Sequence, residues 1–128
     1  MGEIWMESLI FRNVDVVQTK LMVLNMAHTF HCSKVIVQSV TLTNSKFAHF
    51  RYGTSGEYDI KDFQLQDVTL KEQAVFWMME NNLSIPKLLF RNIVVLQSLF
   101  HGQSLFYEAA STIILEFENL VVLDTDFV

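Results

Sequence analysis

Three residues in the stretch HTFHC have side chains that can bind a metal ion or act in nucleophilic catalysis: His28, His31 and Cys32. A structural zinc site needs four ligands, usually arranged as two closely spaced pairs. Outside this stretch the only other histidines are His49 and His101, and they are far apart in the sequence. A catalytic Cys–His pair needs an activated thiolate, and nothing in the sequence marks Cys32 as activated. We therefore predict a turn between strands here, with no metal and no cofactor.

The acidic residues are the second group that can do chemistry, because glycoside hydrolases use two carboxylates at close range. They are scattered through turns and polar positions: Asp15, Glu57, Asp59, Asp62, Asp67, Glu72, Glu80 and Glu108. No two of them share a position in the third strand of neighbouring repeats. The pattern predicts no local active site, so we do not expect an enzyme.

Composition narrows the class of protein. The chain has 128 residues, of which 51% are hydrophobic and 18% charged, with a net charge of −5. A hydrophobic chain of this length can bury a core as one domain. It has only 9 basic residues and no basic cluster, which argues against nucleic-acid binding. No apolar run reaches the roughly 18 residues of a membrane span, so we expect no direct membrane insertion.

A nine-residue phrase, repeated five times, indicates the elements that would position these side chains. The copies are FRNVDVVQT, VQSVTLTNS, LQDVTLKEQ, FRNIVVLQS and FENLVVLDT. Their polar centres recur at nearly even spacing along the chain, at Asn13, Ser39, Asp67, Asn92 and Asn119. Apolar residues alternate on both sides of each centre, which predicts two short strands. The centre itself predicts a bend, because Asn and Asp adopt left-handed backbone angles most readily among non-glycine residues.

A third apolar segment follows each pair of strands, as in FAHFRY at 47–52 and VFWMME at 75–80. Three short strands per turn, at a period of roughly 25–28 residues, predict an all-β parallel β-helix of about five coils. Leucine-rich repeats share the period but place two residues between the last core Leu and the Asn. Here only Arg91 separates Phe90 from Asn92. We interpret residues 1–128 as a single β-helix segment of a longer solenoid, since neither end shows a cap.

The five units resemble the right-handed parallel β-helix of the pectin-lyase-like superfamily, in which a short polar bend, often Asn, separates two of the three strands of a coil. The resemblance is one of architecture and covers the chain from about residue 8 to its end. The superfamily includes polysaccharide lyases and hydrolases, but no motif for their calcium ligands or catalytic base is found here. The coils are also similar to those of large repetitive surface or secreted proteins, which implies an extracellular or cell-surface scaffold.

The third strands suggest a surface for partners. Aligning them on Leu21, Phe47, Val75 and Leu105 places four residues in one row: Val23, His49, Trp77 and Tyr107. If this row faces outward, it can anchor a protein interface, where Trp and Tyr are enriched, or stack on sugar rings. The opposite phase turns a different row outward, namely Met22, Ala48, Phe76 and Phe106. The sequence leaves both phases open, and either one predicts apolar groups on the outside.

One modification signal fits an extracellular location. Asn82-Leu83-Ser84 is an N-glycosylation sequon that precedes Pro86, so we expect a glycan on Asn82 in secreted material. The sequence as a whole predicts a structural scaffold that packs laterally and end to end, in a filament or larger assembly. Its expected partners are other copies or further coils of the same protein, and glycans. The alternative function is a carbohydrate-active enzyme or carbohydrate-binding module.

Overall fold

The computed structural model describes residues 3–25, 29–51, 57–80, 87–101, 105–108 and 114–128. Every regular element within these ranges is a β-strand: β1 (Glu3–Val17), β2 (Lys20–Asn25), β3 (Thr29–Thr43), β4 (Lys46–Arg51), β5 (Glu57–Lys71), β6 (Val75–Glu80), β7 (Lys87–Leu96), β8 (Leu99–Phe100), β9 (Phe106–Glu108), β10 (Ile114–Leu123) and β11 (Asp126–Phe127). The larger sheet has the order β1-β3-β5-β7-β10, and β8 and β11 extend it. The smaller sheet has the order β2-β4-β6-β9. All pairings are parallel, which confirms the predicted β-solenoid.

Each pass of the chain through the sheets forms one layer of the solenoid. The layers are β1–β2, β3–β4, β5–β6, β7–β9 and β10–β11. The first three each combine a strand of 15 residues with a strand of 6 residues. The fifth layer contributes only to the larger sheet among the described residues. The number of complete turns is therefore smaller than the predicted five.

Each 15-residue strand, β1, β3 and β5, is bent at two residues with left-handed backbone angles. In β1 these are Ser8 and Asn13, with φ of 63° and 54°, and Gln18 just after the strand adopts a third, with φ of 52°. The same angles recur in the next layer at Lys34, Ser39 and Asn44. The chain is thus built from five-residue segments, each opened by a bend. The residues one and three positions after a bend point inward, as Val35 and Val37 do.

The prediction of two short strands with one bend between them was incomplete. The structure has three five-residue segments in one strand, because parallel pairing resumes immediately after each bend. The additional bends lie at residues such as Lys34, whose type does not favour left-handed angles. All five predicted bend residues do have positive φ: Asn13, Ser39, Asp67, Asn92 and Asn119.

The register between layers differs from the prediction at one interface. At three interfaces the paired residues are as far apart in the sequence as the predicted bend residues of the same layers. The pairs are Glu3–Thr29, Phe30–Tyr58 and Lys87–Ile114. Between the third and fourth layers the prediction places Asp67 beside Asn92, whereas the structure pairs Glu57 with Lys87 and so places Asp62 beside Asn92. The observed spacing is longer than the predicted one by one five-residue segment.

The predicted single row of bends is therefore two rows. Asn13, Ser39 and Asp67 belong to one row, which continues through Gln97 and Asp124. Asn92 and Asn119 belong to the other row, together with Ser8, Lys34 and Asp62. A five-residue slip preserves both the bends and the inward apolar positions, so the sequence pattern alone did not distinguish the two registers.

Inward side chains of both sheets form one continuous hydrophobic core. Aromatic rings join the two sheets: the centroid of Trp77 lies 5.4 Å from that of Phe63 and 5.1 Å from that of Phe90. Within the smaller sheet, Phe47 stacks on Phe76 at 4.3 Å. Rings packed at these distances and angles add to the stabilisation from burial alone. The core therefore fixes the layers as one unit and leaves outward side chains to form any site.

Candidate functional site

The four residues predicted to form one row on the third strands do not all lie opposite one another in the structure. Val23 pairs with His49, but His49 then pairs with Met78, while Trp77 lies opposite Ala48. The alignment was wrong by one residue because an extra residue stands between β5 and β6. Tyr107 follows Met78 in the backbone register, and its side chain lies outside the described part of the structure.

Two side chains of the predicted row, those of His49 and Trp77, are buried by the chain itself. In β4 both alternate positions are covered, since Ala48, His49 and Phe50 are 1%, 3% and 4% exposed. Trp77 is also buried, whereas Val23, in the first layer, is 42% exposed. The expectation that one phase of the third strand leaves apolar groups outside is therefore wrong for β4 and for Val75, Phe76 and Trp77 of β6. His49 and Trp77 do not form an exposed face.

The HTFHC stretch does not assemble a reactive group. His28 lies outside the described residues. The predicted turn is wrong for residues 29–32, which belong to β3, where His31 and Cys32 are consecutive and point to opposite faces. Cys32 is buried in the core, and this burial raises the pKa of its thiol to about 11. A thiol with this pKa is a poor nucleophile near neutral pH. Within the described ranges, no three His, Cys, Asp or Glu side chains are placed to hold a metal ion.

Two other sequence predictions concern glycosylation and membrane insertion. Asn82 lies outside the described residues, so its glycan remains a prediction. The part of the chain that the structure describes contains no helix long and apolar enough to cross a membrane.

On the outer surface of the larger sheet, one row of contacts runs across four layers. The Trp5 ring stacks on the His31 ring, with centroids 3.9 Å apart and planes inclined by 16°. The Nδ1 atom of His31 lies 3.8 Å from Oδ2 of Asp59. Arg91 donates two hydrogen bonds to Asp59, at 3.3 and 2.6 Å. These bonds raise the pKa of the Arg91 guanidinium, so the guanidinium stays charged at any ordinary pH.

A second ion pair lies beside this row. Nζ of Lys34 donates to Oε1 of Glu7 at 2.6 Å, which lowers the pKa of Glu7 and raises that of Lys34. Both side chains are well exposed, so the pair contributes little stability. Together with Lys61 and Asp62, these groups line a cleft of about 500 Å³ below Trp5. Trp5 itself is 69% exposed, which leaves ring surface open to a ligand.

Sequence reasoning missed this row, although a signal was present. The spacing of the repeat leads from Trp5 to His31 and from His31 to Asp59. Applying the repeat to outward positions as well as inward ones would have aligned these three residues. The repeat spacing could not identify Arg91. The residue directly opposite Asp59 is Leu89, and Arg91 reaches Asp59 from two positions further along the strand.

The second candidate site is the open face of the fifth layer. Its inward side chains Phe117, Leu120, Val122 and Phe127 are 44%, 42%, 37% and 63% exposed. Their direct neighbours in the fourth layer, Phe90, Ile93, Val95 and Phe100, are all at most 1% exposed. The residues are of the same apolar kind, and they differ only in whether another layer covers them. The open face of the fifth layer therefore exposes apolar side chains of the kind that are buried in the fourth layer.

Comparisons with known proteins add no assignment. No protein-family model matches the chain, and neither a curated protein nor a solved structure matches it. Two surfaces remain as candidate sites, the cleft below Trp5 and the open face of the fifth layer.

Proposed function

We propose that the chain is a structural scaffold, a segment of β-solenoid that works by packing against another parallel layer. The observation that carries the proposal is the exposure of Phe117, Leu120, Val122 and Phe127 at positions that are buried in the layer below. Strand β10 also has one unpaired edge among the described strands, and such an edge favours pairing with a further strand. The partner layer comes from further coils of the same protein or from another copy.

The finer assignment follows from the sequence. The chain belongs, in this proposal, to a large repetitive surface or secreted protein with coils of the pectin-lyase-like type. Assembly is end to end through the layer faces and lateral through outward apolar residues such as Val121 and Leu123. A glycan on Asn82 fits the extracellular location.

Self-association of the purified chain tests the proposal, because a second copy is then the only available partner layer. Sedimentation velocity over a wide range of concentration should show oligomers that grow with concentration. Phe127→Asp should abolish them, because it places a charge in the apolar face. Thr43→Asp adds the same charge to an outward position of the second layer, between Val17 and Lys71, and is the matched control. A chain that stays monomeric at every concentration, or that associates equally well with Phe127→Asp, would contradict the proposal.

Carbohydrate binding is the second candidate, and the cleft below Trp5 favours it. An exposed indole face next to carboxylates and amines can stack on a sugar ring while hydrogen bonds fix its hydroxyl groups. The described site provides Glu7, Lys34, Asp59 and Lys61 for this purpose.

A glycan array with the purified chain tests this second candidate. Specific binding should be lost in Trp5→Ala and retained in Ile10→Ala, which removes another exposed apolar side chain of the same strand. Binding that survives Trp5→Ala would place the sugar elsewhere, and an array without any signal would reject the candidate.

A further inference from the structure

We propose that Lys20 and Lys46 form a binding site for a tetrahedral oxyanion, the phosphate or sulfate group of a ligand. They are the first residues of β2 and β4 and lie directly opposite each other in the smaller sheet. Neighbouring strands are about 4.8 Å apart, and like charges directly opposite each other on such strands are destabilising. The pair therefore destabilises the folded chain unless a bound anion offsets the repulsion.

The two lysines share a polar cleft with a volume of about 210 Å³, and the rest of its lining is Gln18, Thr19 and Asn44. Within the described residues, neither ammonium group has an ion-pair partner. The side chains of Gln18, Thr19 and Asn44 likewise make no hydrogen bond to another described residue. The cleft thus offers two ammonium groups, two amides and one hydroxyl group to a ligand.

Hydrogen bonds of the backbone hold the lining residues in place. Gln18 and Asn44 are equivalent bend residues, with φ of 52° and 49°. Their backbone N–H groups donate to carbonyls of the next layer, at 3.0 and 3.2 Å. The N–H of Lys46 donates to the carbonyl of Thr19 at 3.0 Å. The backbone of the cleft is therefore already paired, and only side chains must become ordered when an anion binds.

The charges of the cleft determine which kind of ligand fits. Two ammonium groups repel a cation, and the polar lining gives an apolar group nothing to pack against. In the third layer Lys46 lies opposite Val75, which is buried, so the row of lysines ends there. Glu72 follows Asn44 in the row of bends, but it does not line the cleft and makes no ion pair with a described lysine.

A phosphate or sulfate group matches these donors. It carries negative charge on several oxygen atoms, so it can accept a charge-assisted hydrogen bond from each ammonium group at the same time. The amides and the hydroxyl group of the cleft can donate to its remaining oxygen atoms. Free phosphate and a sulfate ester on a sugar present the same group to the site.

Thermal unfolding in phosphate and in chloride, at equal ionic strength, tests the site. An anion that binds only the folded chain stabilises it, so phosphate at tenfold its dissociation constant should raise the unfolding temperature by roughly 5 °C. Phosphate also stabilises proteins by exclusion from their surface, so variants are needed. Lys20→Gln and Lys46→Gln should each lose most of the shift. Lys71→Gln, which removes an exposed lysine of the third layer, should keep it.

The same variants should have the opposite effect in chloride alone. Lys20→Gln and Lys46→Gln each remove the repulsion between the opposite lysines, so each should unfold about 1–4 °C above the wild type. Lys71→Gln should not show this gain. The inference is overturned if both variants are no more stable than the wild type in chloride, or if both keep the full phosphate shift.

Titration calorimetry with inorganic phosphate and with glucose 6-sulfate distinguishes the two sources of the oxyanion. Tighter binding of glucose 6-sulfate would identify a sulfated sugar as the ligand, and tighter binding of phosphate would identify the free ion. The double variant Lys20→Gln with Lys46→Gln should bind neither. A double variant that still binds, or a wild-type chain that binds neither probe, would overturn the inference. Both lysines lie outside the fifth layer and the cleft below Trp5, so these results leave the scaffold and sugar proposals to their own tests.

Discussion

The fourth and fifth layers contain nearly the same structure in two different environments. Phe90 and Phe117 are neighbours in one row, stacked at 5.4 Å, yet Phe90 is completely buried and Phe117 is 44% exposed. Both layers have bends at the same two positions and inward residues of the same kind. The difference shows that a layer of this solenoid obtains part of its burial from each neighbour. Stability therefore belongs to pairs of layers, as expected for a quasi-one-dimensional fold.

Replacing Phe90 or Phe117 by Ala should give the largest difference in unfolding free energy between the fourth and fifth layers. Phe90→Ala opens a cavity among Trp77, Phe117 and neighbouring side chains and should lower the free energy of unfolding by about 3–5 kcal/mol. Phe117→Ala should cost about 1–2 kcal/mol, because the side chain is already 44% exposed and its loss leaves no enclosed cavity. Urea denaturation at concentrations where the chain is monomeric measures both. Equal losses would show that the fifth layer is covered in solution.

Two hydroxyl groups at equivalent positions of these layers provide a smaller contrast. Oγ of Ser98 accepts the backbone N–H of Val68 at 3.1 Å and donates to the carbonyl of Leu96 at 2.9 Å. Ser98→Ala leaves the buried Val68 N–H without an acceptor and should cost about 1–3 kcal/mol. Thr125→Ala removes a bond to the exposed Leu123 carbonyl, which water can replace, and a longer bond of 3.4 Å that Thr125 Oγ1 accepts from the N–H of Ser98, so it should cost about 1 kcal/mol. Denaturation curves that give the reverse order would refute this account.

The bend residues should differ less between the layers. Asn92 donates to Asp62 and accepts from Asn119, whereas Asn119 makes only the second of these bonds. Both have positive φ, so Ala at either site should cost about 1–2 kcal/mol for the left-handed backbone. Asn92→Ala should cost a few tenths of a kcal/mol more than Asn119→Ala because it loses two bonds. Asn92→Gly, which adopts this φ without strain, should recover most of the loss in the same unfolding assay.

One further effect depends on pH and is absent near neutral pH. Burial raises the pKa of Cys32 from 9.0 to about 11 in the folded chain. The unfolded thiol ionises first, so the contribution of Cys32 to stability is complete below pH 9 and declines as the pH rises toward 11. Cys32→Ala should flatten this decline in unfolding measurements across that range. A residual slope is expected, because burial also raises the pKa of Tyr58.

Thiol labelling extends this comparison to the open layer. In the Cys32→Ala background, Leu123→Cys places a thiol at an exposed position of β10. It should react rapidly with a thiol reagent at pH 8, whereas native Cys32 should react much more slowly, because burial covers the thiol and keeps it protonated. Equal rates would mean that the second layer opens readily.

Much of the fold followed from local pattern. Alternation around the phrase FRNIVVLQS identified the inward residues of β7, and the polar centres identified five bends that have positive φ. The bends at Ser8 and Lys34 were missed, because Ser and Lys carry no clear preference for left-handed angles. The bend at Asp62 was missed although its type favours such angles, because the predicted register placed Asp67 beside Asn92.

The third-strand row failed for another reason. Apolar residues stand on both faces of these strands, so their alternation does not show which face points inward. In addition, the extra residue before β6 shifts Trp77 by one position.

The candidate sites were less accessible than the fold. The row of Trp5, His31 and Asp59 depends on residues that lie a whole repeat apart in the sequence, and nothing in any one repeat marks them as functional. The exposure of Phe117 and Phe127 is a property of their place in the stack, since the same residue type is buried one layer below.

The sequence by itself determined the alternation of inward and outward faces around each bend and the parallel solenoid, because these depend on residue types at short spacing. Tertiary structure alone decided the register between the third and fourth layers, in which Asp62 and not Asp67 lies beside Asn92. A slip of one segment exchanges one set of inward apolar residues and one bend for another, so local preferences are nearly equal in the two registers. Contacts between distant residues, such as Arg91 with Asp59, Asn92 with Asp62 and Phe90 with Trp77, select one of them.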